Sequence, residues 1–375
     1  MKFKSVLTKN LSNIPGWRTK KKIVVIESDD WGSIRMSSND SYNRLLNLGF
    51  PVNKSHYTKY DSLECNDDLS DLFDVLSNYK DINGRNPVIT AVSIVGNPDF
   101  NKILESEFKS YFYEPFTKTL EKYPKHDKVY SLYKEGIDKR LFVPVFHGRE
   151  HLNVKRWMTD LQNGNKSVIK AFQEGVTGVD RGFNNEPLSD FQAAFDIDKP
   201  EDTIYLKEVL NEGLTLFEEL FGYQSKYFVP TNGPFNNSLE SILFENNVKF
   251  INSSKKQLEP LGNQKFNTNV RFLGQKNSFN QRYITRNCFF EPSSFGTISS
   301  NEWIDSCIKE IDIAFRWNKP AIISSHRVNF VGHLDPQNRE DGLKSLDNLL
   351  KKITKKWPNI EFMTTVELGD IINKN

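Results

Sequence analysis

The chain has 375 residues, enough for one large α/β domain or two smaller ones with a substantial buried core. Its 50 basic and 48 acidic residues nearly cancel, which excludes a whole-protein field of the kind that draws nucleic acid. Three cysteines, Cys65, Cys288 and Cys307, lie far apart with no CxxC spacing, a pattern that fits a reducing compartment better than a disulfide framework.

At the N-terminus, lysines interrupt Met1-Lys2-Phe3-Lys4-Ser5-Val6-Leu7-Thr8-Lys9-Asn10 before an apolar signal-like core can form. Residues 1–20 read as a leader, frayed over 1–17, and the expected localisation is cytoplasmic. Residues 1–22, which end in the basic stretch Arg18-Thr19-Lys20-Lys21-Lys22, offer at most a weak membrane-surface contact, and no run reaches the ~20 apolar residues of a membrane span.

Short apolar runs rich in β-branched and aromatic residues follow at 23–26, 88–95, 141–146, 226–230, 248–252, 320–324 and 360–364. Runs of this length without clean alternation suit strands buried on both faces of a parallel sheet. Helix-like stretches separate several of them, at 66–78, 204–221, 238–246, 301–317 and 342–357. Strand followed by helix, repeated, predicts a parallel α/β fold. Residues 97–140 and 153–222 are aromatic, charged and Asn/Gly-rich, and are expected as insertions over one rim of a single elaborated domain spanning 21–375.

The chemistry-bearing residues cluster just past the strand ends: Glu27-Ser28-Asp29-Asp30, His147, Pro230-Thr231-Asn232-Gly233 and Ser324-Ser325-His326. Sites in parallel α/β folds gather at that carboxyl edge. His147 and His151, two of six histidines, stand four residues apart, so on a helical turn their imidazoles share a face. One carboxylate added to this pair makes a three-ligand set with positions open for water and substrate, the pattern of a catalytic metal. Asp29 and Asp30 read either as a turn or helix N-cap, or as one metal ligand beside one proton-transfer group. An extended strand end would point them in opposite directions, so the second reading needs a tight turn, which Trp31-Gly32-Ser33 permits.

His326 suits acid catalysis, with an unperturbed pKa near ~6.5, although a strand-end histidine is also often a packed one. His56, His126 and His333 lie in polar sequence and are expected at the surface, and Glu150 is expected either at the surface or behind the ligand residues. Arg149 reads either as a contact for an anionic substrate group or as a solvated arginine, and Trp31 as an apolar pocket wall against a sugar face.

The order Asp-Asp, HxxxH, Pro-x-x-Gly-x-x-Asn and a late strand ending in His resembles the polysaccharide deacetylases, the NodB-homology group of carbohydrate esterase family 4. The closing segment 362–368 also resembles that family's last strand and final helix. The resemblance implies a distorted parallel (β/α) barrel, seven-stranded, with long insertions at the carboxyl rim. It implies one divalent metal, zinc first and Co²⁺, Ni²⁺ or Mn²⁺ as substitutes, bound by Asp30, His147 and His151. Asp29 is then the general base, His326 the general acid, and the main-chain amide of Asn232 the oxyanion donor, with Thr231 expected beside it as an oxyanion- or substrate-binding residue. The implied reaction removes an N- or O-acetyl group from a carbohydrate substrate.

Two departures stand out. Val229 occupies the place of the family's arginine, so Arg35, Arg327 or Arg181 is expected to replace it, and the spacing from Asp30 to His147 is wider than the family's. Hydrolysis of a small non-sugar amide or a phosphoester, and non-catalytic glycan binding, are the alternative readings.

Overall fold

The apolar run at 23–26 extends into a ten-residue strand, β1 (Lys22–Trp31), in which every residue after Lys22 is buried. β1 sits near the middle of the main sheet of the computed structural model, which is described for residues 3–177, 191–295 and 299–374. The other strands of that sheet are β2 (Ile89–Ile94), β3 (Phe142–Gly148), β4 (Tyr227–Phe228), β5 (Phe250–Asn252), β6 (Arg282–Ile284), β7 (Cys288–Phe289), β8 (Ala321–His326) and β9 (Ile360–Phe362). Their order is β6-β5-β4-β3-β2-β1-β8-β7, with β9 paired to the start of β1, and every pairing is parallel. All seven expected strands form, and two short ones, β6 and β7, join them. The product is a curled parallel sheet flanked by helices, a distorted (β/α) barrel in which no pairing joins β6 to β7 among the described residues.

β1 shows why the sheet is buried on both sides. Val24 and Ile26 pack with Leu69 and Leu72 of the helix Asn66–Ser77, Ile311 of the helix Ser300–Arg316 and Leu346 of the helix Pro336–Lys356. Ile23 and Val25 point the other way, joining Val92, Val145, Tyr227 and Ile322 from other strands with Leu368 and Ile372 of the helix Thr365–Lys374. Two apolar faces on one strand produce the continuous hydrophobic run seen in the sequence. Local signals set the helix boundaries: Ser299 accepts from the Glu302 N–H while Glu302 accepts from the Ser299 N–H, and Asp335 caps the helix that Pro336 opens.

The helices Val129–Asp138 and Asp202–Phe221 both pack against β3. The segments 97–140 and 153–222 therefore contain crossover helices in addition to their irregular parts. The N-terminal helix Phe3–Leu11 contacts the helix Ser300–Arg316, and the Lys319 ammonium donates to the carbonyls of Pro15, Gly16 and Trp17 at 2.6–2.7 Å. A frayed leader over 1–17 is thus corrected, since its described part is tied to the body by an ammonium that needs those carbonyls. Among the described residues no helix is long and apolar enough to cross a membrane.

Gly342, inside the helix Pro336–Lys356, lets that helix press onto the turn following β8. A Cβ there would meet the Asn329 carbonyl oxygen at 1.6 Å, and the obstacle is backbone. Gly342→Ala is expected to destabilise the fold by at least the ~1–3 kcal/mol typical of overpacking. An unchanged urea midpoint in this variant would contradict the close approach.

Candidate metal centre

The series Ile23, Val25, Glu27, Asp29 lies on one face of β1, so simple alternation would send Asp30 to the opposite face with Ser28. That does not happen. The pairing register with β2 shifts between Ser28 and Trp31, and Asp30 adopts a left-handed conformation with φ 78°. Asp is among the few residues that tolerate this region, and the result is that Asp29 and Asp30 line one cavity. Gly32, with φ 77°, is required next, because a Cβ there would meet the Ile94 carbonyl oxygen at 2.6 Å.

A buried charge network holds this turn. Glu64 accepts from the Gly32 N–H at 3.1 Å and from the Tyr133 hydroxyl at 2.5 Å. Arg327, fully buried, donates to Glu64 at 2.8 Å and to Asp61 at 3.0 Å. Arg35 then bridges Asp61 at 3.3 Å and Asp30 at 3.5 Å.

The end of β3 delivers the imidazoles. His147 Nε2 lies 3.4 Å and His151 Nε2 3.2 Å from the same Asp30 oxygen, Oδ1. All three side chains are buried, and the three potential ligand atoms lie within 4.8 Å of one another. His147 Nδ1 is 2.8 Å from the Val229 carbonyl, an acceptor only, so Nδ1 carries a proton and Nε2 is the nitrogen turned to the Asp30 carboxylate. Both Nε2 atoms thus converge on one carboxylate oxygen in a dry site, an arrangement that a shared cation would satisfy. His151 Nδ1 is buried without a hydrogen-bond partner among the described residues. The donor set therefore fits a divalent metal of the kind that takes imidazole and carboxylate. Burial pushes the His151 pKa down while Asp30 opposes it, and the Asp30 carboxyl, despite its own burial, is held well below the usual range by His151 and His147. These directions favour the neutral imidazole at His151 and the carboxylate at Asp30, the forms in which the two groups bind a metal.

Asp29 is clamped by Arg286, whose Nη1 and Nη2 each donate to a different carboxylate oxygen at 2.6 Å, while its Nε donates to Glu27 at 2.5 Å. Burial alone would raise the Asp29 carboxyl, but Arg286 outweighs it and holds the group below its ordinary value. The arginine expected at this carboxylate is thus Arg286. It is neither Arg35 nor Arg327, which serve the network around Asp30, Asp61 and Glu64, and Arg181 lies outside the described residues.

His326 closes the site, with Nε2 3.9 Å from Asp29 Oδ2 and Nδ1 against Glu291 Oε1. Asn329 donates to the other Glu291 oxygen at 2.7 Å. Burial would depress the His326 pKa, yet Glu291, helped by Asp29 and Asp30, raises it to about 9. Asn232, in a left-handed turn with φ 52°, also lines the cavity.

Four sequence-based expectations are corrected. Trp31 is fully buried in the hydrophobic core, its indole N–H donating to Ser28 Oγ at 3.0 Å, because the register shift turns it away from the cavity. The aromatic ring in the cavity wall is Tyr57, edge-on to His326 at 5.3 Å. Thr231 is buried, accepting from the Ala194 N–H at 2.9 Å. Arg149 is buried in an ion pair with Glu150 at 2.6 Å and also reaches Glu212, so it is neither solvated nor in the cavity, and Glu150 is its buried partner. His126 is buried as well, its ring nitrogens against the Pro124 and Leu63 carbonyls. Arg286 and Glu291 escaped the sequence reading because they flank β6 and β7, strands of three and two residues with no apolar run to announce them.

No family model matches the chain, and no curated protein matches it. Among solved structures the chain is similar to a probable polysaccharide deacetylase from Pseudomonas aeruginosa PAO1, at 8% identity and TM-score 0.49 over 95% of this chain and 92% of that one. It is similar to a putative polysaccharide deacetylase from Mycobacterium smegmatis, at 10% identity and TM-score 0.45 over 96% and 93% of the two chains. It is also similar to PuuE allantoinase, at 9% identity and TM-score 0.45 over 96% and 92%.

Arg286→Met leaves Asp29 and Glu27 buried without their cation, a loss expected to cost about 3–5 kcal/mol at pH 7. With Arg286 present, the depressed Asp29 pKa contributes stability above the ordinary carboxylate pKa that is lost as pH falls. Without it, burial raises that pKa, so the variant recovers part of its deficit on going from pH 7 to pH 5. A deficit that is constant between the two pH values, read from denaturant midpoints, would contradict the clamp.

Proposed function

We propose that the chain is a metal-dependent hydrolase that removes an N- or O-acetyl group from a sugar or glycan intermediate, residues 21–375 forming one deacetylase domain. The observation that carries this reading is the convergence of Asp30, His147 and His151 beside an arginine-clamped Asp29 and a carboxylate-paired His326 in one cavity. Asp30, His147 and His151 would hold a single divalent cation, zinc first among the candidates. When bound, that cation supplies Lewis-acid polarisation of the scissile carbonyl and of water.

The chain's own groups do the rest. Asp29, kept ionised by Arg286, accepts the proton of the attacking water. The clamp also fixes the orientation of its carboxylate, which is what a general base needs first. The main-chain amide of Asn232 is the donor assigned to the developing oxyanion, where loss of one preorganised donor typically costs ~10²–10³ in kcat. His326, held by Glu291 through Nδ1, keeps Nε2 for the departing group. A pKa of about 9 means that it carries its proton throughout the neutral range.

Two experiments test the assignment. Calorimetric titration with Zn²⁺ is expected to give one site per chain, abolished in His151→Ala and retained in Asp29→Asn. Acetate release from acetylated sugars is expected to vanish in the first variant and to fall by about 10²–10⁴ in the second. Undiminished acetate release by Asp29→Asn, or zinc binding at two equivalents, would defeat the reading.

The second experiment is a pH–rate profile. Because His326 acts in its protonated form, kcat/KM is expected to fall as pH rises through about 9. Removing the Glu291 charge in Glu291→Gln should shift that alkaline limb towards the ~6.5 of ordinary histidine. An unmoved limb would exclude His326 as the acid.

A further inference from the structure

The cavity has a volume of about 610 Å³, room for more than an acetamido group. Beyond the metal side, it is walled by segments that the mechanism does not use: the N-terminal stretch with Lys9, Ser12 and Asn13, the loop after β5 with Lys255, and Asn287 beside the clamp arginine. The charged groups lining this cavity are nearly all partnered. Asp29 is held by Arg286, Arg35 lies between Asp30 and Asp61, His326 is paired with Glu291, and Lys9 is paired with Glu310.

Lys255 differs from all of these. Its ammonium is partly buried and donates to the Ser12 hydroxyl at 3.0 Å, and no carboxylate of the described residues forms an ion pair with it. Burial pushes its pKa down from the ordinary lysine value, against a weaker opposing pull from Glu310, a carboxylate already paired with Lys9. An ammonium kept partly dry beside neutral hydroxyls and carboxamides costs free energy that a carboxylate or phosphate would recover through charge-assisted hydrogen bonds.

Resting on the hydrolase reading above, we propose that Lys255 is a specificity-determining residue that receives an anionic substituent, a phosphate or a carboxylate, on the acetylated sugar. The substrate is then an anionic sugar derivative, in contrast to a neutral polymer segment.

The test measures steady-state acetate release by the zinc-loaded protein from N-acetylglucosamine, its 1-phosphate, its 6-phosphate and N-acetylmuramic acid. At least one anionic sugar is expected to exceed the neutral one by about 10–100-fold in kcat/KM, chiefly through KM, in keeping with one hydrogen bond to a charged group. Lys255→Gln is expected to erase that advantage through KM, and Lys255→Arg to restore most of it. The phosphate and carboxylate arms identify which anion the site takes. Equal turnover of all four sugars, or an equal proportional loss on neutral and anionic sugars in Lys255→Gln, would overturn the proposal.

Should no sugar release acetate, the hydrolase reading fails on its own, and the subsite is decided by binding. Metal-free protein titrated with inorganic phosphate and with acetate is expected to bind one of them at least tenfold more tightly than Lys255→Gln does. Equal affinities would overturn the subsite.

Discussion

Everything at the cavity depends on defeating the alternation of a single strand. β1 reaches the carboxyl edge of the sheet with two consecutive aspartates, and a regular strand would give only one of them to the cavity. The left-handed Asp30, the register shift against β2 and the Cβ-free Gly32 together bring both carboxylates to one side. A non-glycine residue at positive φ costs of order 1–3 kcal/mol and persists only where its surroundings over-determine it. Here the surroundings are the Glu64–Arg327–Asp61–Arg35 network, whose ends grip the Gly32 amide and the Asp30 carboxylate. The same shift turns Trp31 into the core, so the loss of an expected pocket residue and the gain of a second carboxylate have one cause.

The charges in this region form two systems separated by the Asp29–Asp30 peptide. One runs through Arg286 and joins Asp29 to Glu27, which also accepts from the Tyr227 and Thr365 hydroxyls. The other runs through Arg35 and Arg327. Buried carboxylates of this number are sustained only when each is matched by a cation or by hydrogen bonds. His326 belongs with the first system, since Glu291 lifts its pKa to about 9 and leaves a cation 3.9 Å from Asp29. The three-ligand group stands between the two systems: its carboxylate, Asp30, is the end of the Arg35 system, and its imidazoles, His147 and His151, come from the end of β3.

Much of this was legible in the sequence, for physical reasons. The seven apolar runs that form strands are long enough, and buried enough on both faces, to show continuous hydrophobicity. Because sites in parallel sheets collect at strand ends, Asp29, Asp30, His147, His151, Asn232 and His326 could be gathered from four strand ends without coordinates. Arg286 and Glu291 could not, because strands of two and three residues carry no periodicity. Thr231, Trp31 and Arg149 were misplaced because being next to a site residue in sequence does not fix the direction of a side chain. The N-terminal segment was misread for a related reason. Its lysines and small polar residues look solvated in sequence, whereas Lys9, Ser12 and Asn13 line the cavity.

The central claim is that Asp30, His147 and His151 hold one cation beside Asp29. The most direct measurement is anomalous diffraction from crystals of the protein grown with Zn²⁺, recorded on both sides of the zinc edge. The account predicts one strong peak about 2.0–2.2 Å from an Asp30 carboxylate oxygen and from both Nε2 atoms. A map with no peak there, or with zinc only at other histidines such as His126 and His333, would contradict it.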